Sequence, residues 1–401
     1  MIKIGLLATI MVMLTGCGLW STAQEQWQAI EELVPGYDHP EEEAAIQKSK
    51  PTKLFDVDQK VSLVRLWSSS VVGSYDAVGF GLRPVFSENK IYVADKNGLV
   101  VSLDAISGKT IWKVDLDLPL GGGVGIGGEQ VFVGSEDGDI VALNAGNGNV
   151  SWQVKLSSEI LSAPSGNGDI VVAQSQDGRI YGLDAQNGEI RWQHEVEVPV
   201  LTLRGTSAPV VKGNIVIAGF STGKLYVFSA ATGDTVWEHR IGVPKGRSEL
   251  DKMVDIDGDP LLIGDTVYAA SHQGRIAAID KTGRALWYQD TSSVLGPAYG
   301  EGHIYIVKTS DKIVAMDEAS GAISWVNASL KYRDLGPPLV VGGYLLVADY
   351  EGYIHVLSQE EGDFLGRARV DRLGISAPMI ENEDILYVLD NDGAVSAYKL
   401  K

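Results

Sequence analysis

The stretch IYVADKNGLVVSLDAISGKTIWKVDL, residues 91–116, decides the fold because its pattern recurs through most of the chain. It predicts three short strands, of which the second ends at Leu103 and the third carries Trp112. The Asn-Gly pair before the second strand favours a tight hairpin, since both residues tolerate a positive φ. Asp104 begins a second corner that ends at Gly108, where an Asp side chain can hydrogen-bond the nearby backbone. One unit is therefore three strands joined by two tight turns.

Two series of residues show the recurrence. The first-turn position holds glycine in all units but one: Gly98, Gly138, Gly178, Gly223, Gly274, Asp311, Gly352 and Gly393. The tryptophan position follows its turn by about 14 residues. It holds tryptophan in all units but the last: Trp67, Trp112, Trp152, Trp192, Trp237, Trp287, Trp325 and Gly366. Successive units are mostly about 40 residues apart, a period typical of propeller blades. We expect each tryptophan to stack between adjacent blades and to bury on the order of 200 Å².

The two series are out of step at the chain ends, and this predicts a closed ring. Trp67 has no turn before it, and the turn at Gly393 has no tryptophan strand after it because the chain ends at Lys401. Pairing the orphaned first strand with the last hairpin gives one blade built from both ends. The apolar segment before each hairpin, such as 83–87 or 208–211, supplies the remaining strand. The sequence thus predicts an all-β, eight-bladed β-propeller of four-stranded antiparallel blades, closed by an N-terminal strand that completes the C-terminal blade.

The first residues have the features of an exported leader. Lys3 supplies a positive charge, and residues 4–14 form an apolar run of 11 residues, shorter than the roughly 20 residues that span a bilayer. The sequence LTGC, residues 14–17, resembles the bacterial lipobox, which implies removal of residues 1–16 as a signal peptide and lipidation of Cys17. Acyl chains would anchor the protein stably, at about 0.8 kcal/mol for each buried CH₂ group. Because glycine rather than aspartate follows the cysteine, the lipoprotein sorting rule implies the outer membrane, facing the periplasm.

The rest of the chain divides into a tether and a ring. Residues 17–60 are interpreted as a lipidated tether, and residues 61–401 as the propeller. An amphipathic pattern over 23–33 predicts a short helix, which the Pro-Gly pair that follows would stop. We expect this helix to be transient or to pack on the protein's own ring, and docking on a partner is the alternative.

Composition and charge exclude several functions. The formal net charge is −19 and becomes −20 in the mature chain, because Lys3 is the one charged residue of the leader. No run of Lys and Arg occurs, so we expect no nucleic-acid partner, since phosphate contacts need a basic patch. Cys17 is the only cysteine, which excludes a disulfide framework and a thiolate metal site in the body of the protein.

Two glycine motifs suggest enzymatic chemistry but coincide with the repeat. Residues 123–128 fit G-x-G-x-x-G, but dinucleotide binding requires a helix after the glycines, and the repeat predicts a strand there. Residues 219–223 fit G-x-S-x-G, but a nucleophile elbow requires a strand-to-helix turn, and this segment aligns with the hairpin turns. We therefore assign no catalytic residue.

An alternating acidic loop, Asp255, Asp257 and Asp259, suggests a calcium site. Its spacing departs from that of an EF-hand loop, in which glycine occupies the sixth position and glutamate the twelfth. The histidines show no metal-ligand spacing. We therefore expect no metal and favour a solvated acidic loop that meets a partner.

Two insertions are the main irregularities of the repeat. From a tryptophan position to the next turn there are usually 24–27 residues, but 31 after Trp192 and 37 after Trp237. A third long gap, after Trp67, is expected to feed the seam of the ring. The two insertions follow neighbouring blades at the same point, so we expect both on the face that carries the glycine hairpins, as a binding face.

The content of the insertions suits a protein interface. The first contains Leu201, Leu203 and Arg204, and the second contains Asp255 and Asp257. Apolar anchors and arginine supply much of the energy of protein interfaces. The alternative is that Leu201 and Leu203 pack under the loop as a small satellite core.

The corner-to-tryptophan pattern resembles that of an enzyme family. The repeat [DN]-A-x-x-G-x-x-x-W, at residues 104–112, 144–152 and 184–192, is similar to the tryptophan-docking repeat of quinone-dependent (PQQ) alcohol dehydrogenases. That resemblance implies a propeller, but the site of that family uses a vicinal cysteine disulfide and a calcium ion. With Cys17 as the only cysteine the disulfide is impossible, so we expect no cofactor. A quinone-dependent or sugar-binding periplasmic propeller is the alternative function.

The lipobox, the split ring and both insertions together resemble the BamB family, lipoproteins of the outer-membrane β-barrel assembly machinery. This resemblance implies a non-enzymatic scaffold that binds the periplasmic POTRA domains of BamA, reaches the other subunits through it and helps to deliver unfolded barrel proteins. It implies that Leu201 and Leu203 are anchors and that Arg204 makes a charge-assisted contact. Asp255 and Asp257 would complement basic groups on BamA. Pairing of exposed blade edges with client strands is a second hypothesis.

Overall fold

The computed structural model describes residues 50–71, 73 and 81–401. This part of the chain forms eight four-stranded antiparallel sheets arranged as the blades of a propeller. The predicted all-β, eight-bladed fold is confirmed. The predicted helix at 23–33 and the lipidation site Cys17 lie outside the described residues.

The strands are numbered in chain order, and β1 (Leu63–Ser70) belongs to the last blade. Blade 1 contains β2 (Val85–Ser87), β3 (Lys90–Ala94), β4 (Leu99–Asp104) and β5 (Thr110–Asp115). Blade 2 contains β6 (Leu120–Gly127), β7 (Gln130–Ser135), β8 (Asp139–Asn144) and β9 (Val150–Lys155). Blade 3 contains β10 (Ser165–Gly166), β11 (Ile170–Gln174), β12 (Arg179–Asp184) and β13 (Ile190–Glu195). Blade 4 contains β14 (Val210–Lys212), β15 (Ile215–Gly219), β16 (Lys224–Ser229) and β17 (Thr235–Arg240).

The second half of the ring repeats this plan. Blade 5 contains β18 (Leu261–Ile263), β19 (Thr266–Ala270), β20 (Arg275–Asp280) and β21 (Ala285–Asp290). Blade 6 contains β22 (Ala298–Gly300), β23 (His303–Val307), β24 (Ile313–Asp317) and β25 (Ile323–Asn327). Blade 7 contains β26 (Leu339–Val341), β27 (Tyr344–Ala348), β28 (Tyr353–Ser358) and β29 (Phe364–Arg369). Blade 8 contains β30 (Ile380–Asn382), β31 (Ile385–Leu389), β32 (Ala394–Leu400) and β1. A single-turn 3₁₀ helix, Leu250–Lys252, precedes blade 5.

Blade 8 joins the two ends of the described chain. Its strand order is β1-β32-β31-β30, and β1 pairs with β32 in antiparallel register from Leu63 opposite Leu400 to Ser70 opposite Ala394. The backbones of Ser62 and Lys401 exchange two hydrogen bonds, at 2.8 and 3.0 Å. The predicted closure by a split blade is therefore confirmed.

The core lies between neighbouring blades. Each blade presents apolar side chains on both faces, so the middle strands have long buried runs; all five residues of β11, Ile170–Gln174, are buried. One apolar cluster, for example, joins Phe132 and Trp152 of blade 2 to Val171 and Tyr181 of blade 3. The stack of blades therefore explains why these strands do not alternate between apolar and polar residues.

The tryptophans dock each blade onto the next. Each indole Nε1–H donates to a backbone carbonyl in the corner between the third and fourth strands of the following blade, at 2.8–3.1 Å: Trp67 to Ala105, Trp112 to Ala145, Trp152 to Ala185, Trp192 to Ala230, Trp237 to Lys281, Trp287 to Glu318 and Trp325 to Gln359. The glycine of the same corner lies flat on the indole. A Cβ on Gly108, for example, would be 2.3 Å from the ring of Trp67, and its φ is +68°. In the structure each of these tryptophans is therefore stacked against the corner of the following blade.

Gly366 replaces the eighth tryptophan because the next blade has no corner to accept its hydrogen bond. In blade 8 the third and fourth strands are β32 and β1, which are the two ends of the ring. The space is filled by residues 51–61, which we call the N-terminal strap. A Cβ on Gly366 would be 2.1 Å from the carbonyl oxygen of Val61, and the backbone amides of Lys60 and Val61 both donate to Leu365.

Two arginines of blade 7 and of the link before it hold the N-terminal strap. The Arg333 guanidinium donates to the carbonyl of Thr52 at 3.0 Å, and that of Arg367 to the carbonyl of Phe55 at 2.5 Å. The Phe55 ring packs edge-on against Phe364, with 5.0 Å between centroids. The predicted boundary after residue 60 therefore needs correction, since the compact unit begins at Pro51.

The glycine motif at 123–128 belongs to strand β6 and its turn, as expected from the repeat. Its glycines allow β6 to lie directly against the first strand of blade 3. A Cβ on Gly125 would be 1.7 Å from the carbonyl oxygen of Pro164, and one on Gly127 would be 2.6 Å from Gly166. The segment 219–223 is the hairpin turn between β15 and β16. Neither motif precedes a helix, so both enzymatic readings are rejected.

Candidate protein-interaction site

Both insertions lie on one face of the ring, which we call the upper face. This face carries the hairpin turns between second and third strands and the links between blades. The side-chain amide of Gln176, in the hairpin turn of blade 3, donates a hydrogen bond to the carbonyl of Leu203 in the first insertion, residues 196–209. The side-chain amide of Gln273, in the turn of blade 5, donates a hydrogen bond of 3.0 Å to the carbonyl of Leu250 in the second insertion, residues 241–260. The predicted shared face is confirmed.

Large apolar side chains of both insertions are exposed. The exposed fraction is 86% for Val200, 42% for Leu201 and 62% for Leu250, and Leu203 is half-buried. A satellite core under the loop therefore does not describe Leu201. Leu250 is not among the residues singled out from the sequence, because it is an isolated apolar residue in a polar segment and only the loop path exposes it.

Arg204 projects beside these residues. Its guanidinium lies 3.1 Å from a carboxylate oxygen of Glu136 and 3.7 Å from one of Glu159. All three side chains are more than a third exposed, so water screens these pairs and they contribute little to stability. The guanidinium can therefore exchange its carboxylate partners for those of another protein without a large loss.

Asp255 is fully buried, contrary to the prediction of a solvated acidic loop. One of its carboxylate oxygens accepts the backbone N–H of Leu203 at 3.2 Å, and its carbonyl accepts the N–H of His272 at 2.8 Å. Burial raises the pKa of Asp255 to about 6. As placed here, the side chain cannot meet a basic group of a partner; it fixes the backbone of the first insertion instead.

Asp257 is one of the residues that line a cavity on the upper face. Its Oδ2 is shielded from solvent and has no hydrogen-bond partner among the described residues. Burial, with a smaller contribution from the charge of Asp255, raises the pKa of Asp257 to about 8. Asp255 Oδ2 and His272 Nδ1 are likewise buried without a partner in the described part of the chain. The described residues contain no group of three or more metal-binding side chains.

A cavity of about 870 Å³ opens on the upper face at the mouth of the axial channel; we call it the funnel. Each blade, or the link before it, contributes to its wall. Leucines and prolines both contribute to the wall, among them Leu82, Leu120, Leu161, Pro260, Pro297 and Pro337. The backbone from Leu203 to Thr206 forms part of the rim, so the funnel and the first insertion are continuous.

An ion pair crosses the funnel. Arg83, just before blade 1, pairs with Asp259, just before blade 5, and these blades are opposite each other in a ring of eight. The second carboxylate oxygen of Asp259 accepts the N–H of Ala208 at 2.7 Å. Sequence reasoning missed this pair, because nothing local relates residues 176 positions apart.

The fold and the docked tryptophans define the class of eight-bladed propellers built from tryptophan-docking repeats. A family model described as outer membrane protein assembly factor BamB matches residues 62–120 and 96–327. The BamB of Pseudomonas aeruginosa is 46% identical over 352 residues, which cover 88% of this chain and 93% of that protein. The BamB of Escherichia coli is 30% identical over 357 residues, covering 86% and 91%. The chain belongs to the BamB family.

Solved structures agree with this assignment. The crystal structure of BamB from Moraxella catarrhalis superposes with a TM-score of 0.77 at 28% identity, covering 84% of this chain and all of that one. The quinohemoprotein alcohol dehydrogenase of Comamonas testosteroni has a TM-score of 0.64 at 15% identity, covering 85% and 76%, and shares the fold alone. Between residues 50 and 401, the described segments include no helix that is long and apolar enough to cross a bilayer.

Proposed function

We propose that this chain is a non-enzymatic scaffold of outer-membrane protein assembly that binds the POTRA domains of BamA through its upper face. Membership of the BamB family, whose relatives are named outer membrane protein assembly factors, supports the role. Through BamA the chain would contact the other subunits of the machinery and assist the delivery and insertion of β-barrel proteins.

The observation that carries the proposal is the exposure of Val200, Leu201 and Leu250 beside Arg204 on a single face. When a partner covers an exposed apolar side chain, the complex is stabilised by about 25 cal/mol for each Å² of apolar surface buried. Arginine is enriched among the residues that dominate the binding energy of interfaces. Leu201 would be an anchor, and Arg204 would make a charge-assisted contact.

Leu203 and the two aspartates take revised roles in this proposal. Leu203 is half-buried and would present one edge to the partner. Asp255 is a positioning residue, since it holds the amide of Leu203. Asp257 would meet a basic group from within the funnel rather than from a solvated loop.

Lipidation of Cys17 after removal of residues 1–16 would hold the protein on the periplasmic side of the outer membrane. Residues 17–50 would belong to the tether that precedes the N-terminal strap in the sequence. Thr52 of that strap is bound to Lys331 in a link of the upper face.

A double variant tests the docking site. Leu201→Ala combined with Arg204→Glu removes one anchor and reverses one charge, so BamA should no longer co-purify with the lipidated chain from solubilised outer membranes, while the melting temperature stays unchanged. Leu286→Ala combined with Arg284→Glu is the matched control, because both residues are exposed on the outer side of blade 5. If BamA still co-purified with the Leu201→Ala, Arg204→Glu variant, the proposed docking site would be wrong.

A second mechanism concerns client proteins. The outer strands keep a free backbone edge and expose apolar side chains, among them Leu66, Ile111, Val236 and Leu286. An extended client segment could add to such an edge by β-augmentation. Photo-crosslinks from unfolded barrel proteins would then map along the outer strands, and crosslinks confined to the insertions would count against it.

A further inference from the structure

We infer that the N-terminal strap is a pH-sensitive latch, which is released when the buried His355 takes up a proton. The latch is built from His355, from Arg367 beside it and from the strap itself. It occurs in blade 7, the blade that has Gly366 in place of the docking tryptophan. The inference goes beyond the proposed function and uses none of the residues assigned to BamA.

The two hydrogen-bond partners of His355 fix it as one neutral tautomer. The side chain is fully buried in strand β28. The Nε–H of Arg367 donates to Nδ1 of His355 at 3.0 Å, and arginine has no acceptor, so this ring nitrogen carries no proton. The other ring nitrogen, Nε2, lies 2.9 Å from Oδ2 of Asp349 and donates to it.

Charged and titratable side chains surround His355 from each neighbouring element. They are Tyr353 of its own strand, Asp349 and Glu351 of the hairpin turn, Arg333 of the preceding link, Arg367 of strand β29 and Asp56 of the strap. The two arginines balance Asp349 and Glu351, and Asp56 is exposed to solvent. A neutral His355 therefore leaves the buried network without excess charge.

Protonation of His355 disturbs this balance. The new proton at Nδ1 would face the Nε–H of Arg367, so that a hydrogen bond of 3.0 Å would become a contact between two donors. It would also add a second positive charge beside the guanidinium, in a place where water cannot screen it. The imidazolium and the guanidinium of Arg367 must then separate.

The pKa values give the direction of the switch. Burial lowers the pKa of His355, and Asp349 opposes that effect. Burial acts to raise the pKa of Asp349, but hydrogen bonds, first the one from His355, lower it overall. An exposed histidine has a pKa of about 6.5. The released state, which opens His355 to water, therefore binds the proton more tightly, so docking is complete above about pH 6.5 and weakens as the pH falls below it.

Arg367 transmits this change to the strap. Its guanidinium donates to the carbonyl of Phe55 at 2.5 Å and lies over the rings of Phe55 and Phe364. Its Nη2 is buried and has no hydrogen-bond partner among the described residues, so the guanidinium is not held from that side. Movement of the guanidinium away from His355 therefore breaks its contact with the strap.

The rest of the strap is held mainly through its backbone. Apart from Val61, each of its side chains is exposed or half-buried. The amide of Gln59 pairs with the backbone of Arg367, to which it donates at 2.6 Å and from which it accepts at 3.1 Å. Release would lengthen the tether by about ten residues, or up to about 35 Å of extended chain, and acid would thus extend the reach of the ring from the proposed lipid anchor.

Fluorine NMR of the full lipidated chain tests the latch. A 4-fluorophenylalanine residue at position 55 distinguishes the docked strap from the released strap, because the docked ring packs on Phe364 with 5.0 Å between centroids. We expect the ratio of released to docked strap to rise by as much as about tenfold for each pH unit below about pH 6.5. A strap that stays docked in the unchanged chain down to pH 5 would overturn the inference.

Two variants assign the effect to His355. His355→Gln keeps a polar side chain that cannot be protonated in this range, so the strap should stay docked at pH 5. His303→Gln is the matched control, because His303 is half-buried and contacts only its own turn, at the carbonyl of Glu301. It should release the strap at the same pH as the unchanged chain. Equal release in acid by His355→Gln would show that a carboxylate is responsible and that the inference is wrong.

Nitrogen NMR of labelled histidine in the unchanged chain decides the question even if His355→Gln releases the strap at pH 7.5. We expect His355 to carry its proton on Nε2 at that pH and to become charged over the same pH range in which the strap is released. A proton on Nδ1 at pH 7.5, or a His355 that stays neutral while the strap is released, would contradict the latch. None of these measurements involves BamA, so their failure leaves the proposed function intact.

Discussion

At the scale of single residues, the glycine and the tryptophan of each unit form one joint between neighbouring blades. The indole of Trp152 needs a partner without a Cβ, and Gly188 provides it, since a Cβ there would lie 2.6 Å from the ring. The adjacent carbonyl of Ala185 accepts the indole N–H at 2.9 Å. Each of these two residues, about 36 positions apart, therefore requires the other. Their joint recurrence predicts the contact between neighbouring blades.

Asp257 gives the protein a stability that depends on pH. Its pKa is raised to about 8 by burial, against about 3.9 for an unfolded aspartate. Between these values the folded state binds more protons than the unfolded state, so stability is highest at the acid end of the window and falls as pH rises through about 8.

Asp257→Asn should therefore raise the melting temperature, and the gain should grow from pH 5 to pH 8.5, because the neutral amide has no charge to bury. Each kcal/mol is equivalent to about 2–4 °C in a large domain. Differential scanning calorimetry across this range measures the effect. Asp280→Asn is the contrasting control. Hydrogen bonds, first the one from the Thr282 side chain, lower the pKa of Asp280 to about 2. Replacing the Asp280 carboxylate should therefore reduce the stability of the protein at neutral pH. A gain for Asp257→Asn that did not vary with pH would contradict this account.

At the scale of elements, the N-terminal strap replaces the missing eighth joint. Arg333 is almost fully buried, with its Nε 2.8 Å from Asp349, and it also pairs with Glu351. Asp349 in turn accepts a hydrogen bond from the buried His355 at 2.9 Å. A buried network thus fixes the arginine that holds the carbonyl of Thr52.

Arg333→Ala should release the N-terminal strap and destabilise the ring. Removing one partner of a buried ion pair leaves an uncompensated charge, at a cost of about 3–5 kcal/mol. Limited trypsin digestion should cut after Lys53 or Lys60 in the variant but not in the unchanged chain. Arg284→Ala, which removes an exposed pair with Asp280, is the control. An unchanged digestion pattern in Arg333→Ala would show that the strap is held by other contacts.

The elements differ in how far the sequence predicts them. The blades and their closure follow from local turn chemistry and from the period, which the order of residues records directly. The sequence predicts the N-terminal strap as part of a polar tether, because its attachment depends on arginines 281 and 312 residues away. In the sequence Gly366 departs from the repeat without explanation, and the absent corner of blade 8 supplies the reason.

At the scale of the whole molecule, closure of the ring brings distant residues to one face. The insertions could be predicted as a binding face, since equivalent positions in successive blades must emerge on the same side. The funnel and the Arg83–Asp259 ion pair could not be predicted from the sequence, because they form only when opposite blades come together in the ring. The prediction of a solvated Asp255 is wrong for a related reason. Alternating aspartates in a loop resemble a solvated segment, and the burial of Asp255 depends on packing against the first insertion.

Hydrogen–deuterium exchange of the full lipidated chain, with and without the periplasmic domains of BamA, tests the central claim most directly. We expect new protection in residues 198–206 and 249–258 and in the links that line the funnel, with no change in the corners of the opposite face. Protection restricted to the outer strands or to those corners would contradict docking on the upper face.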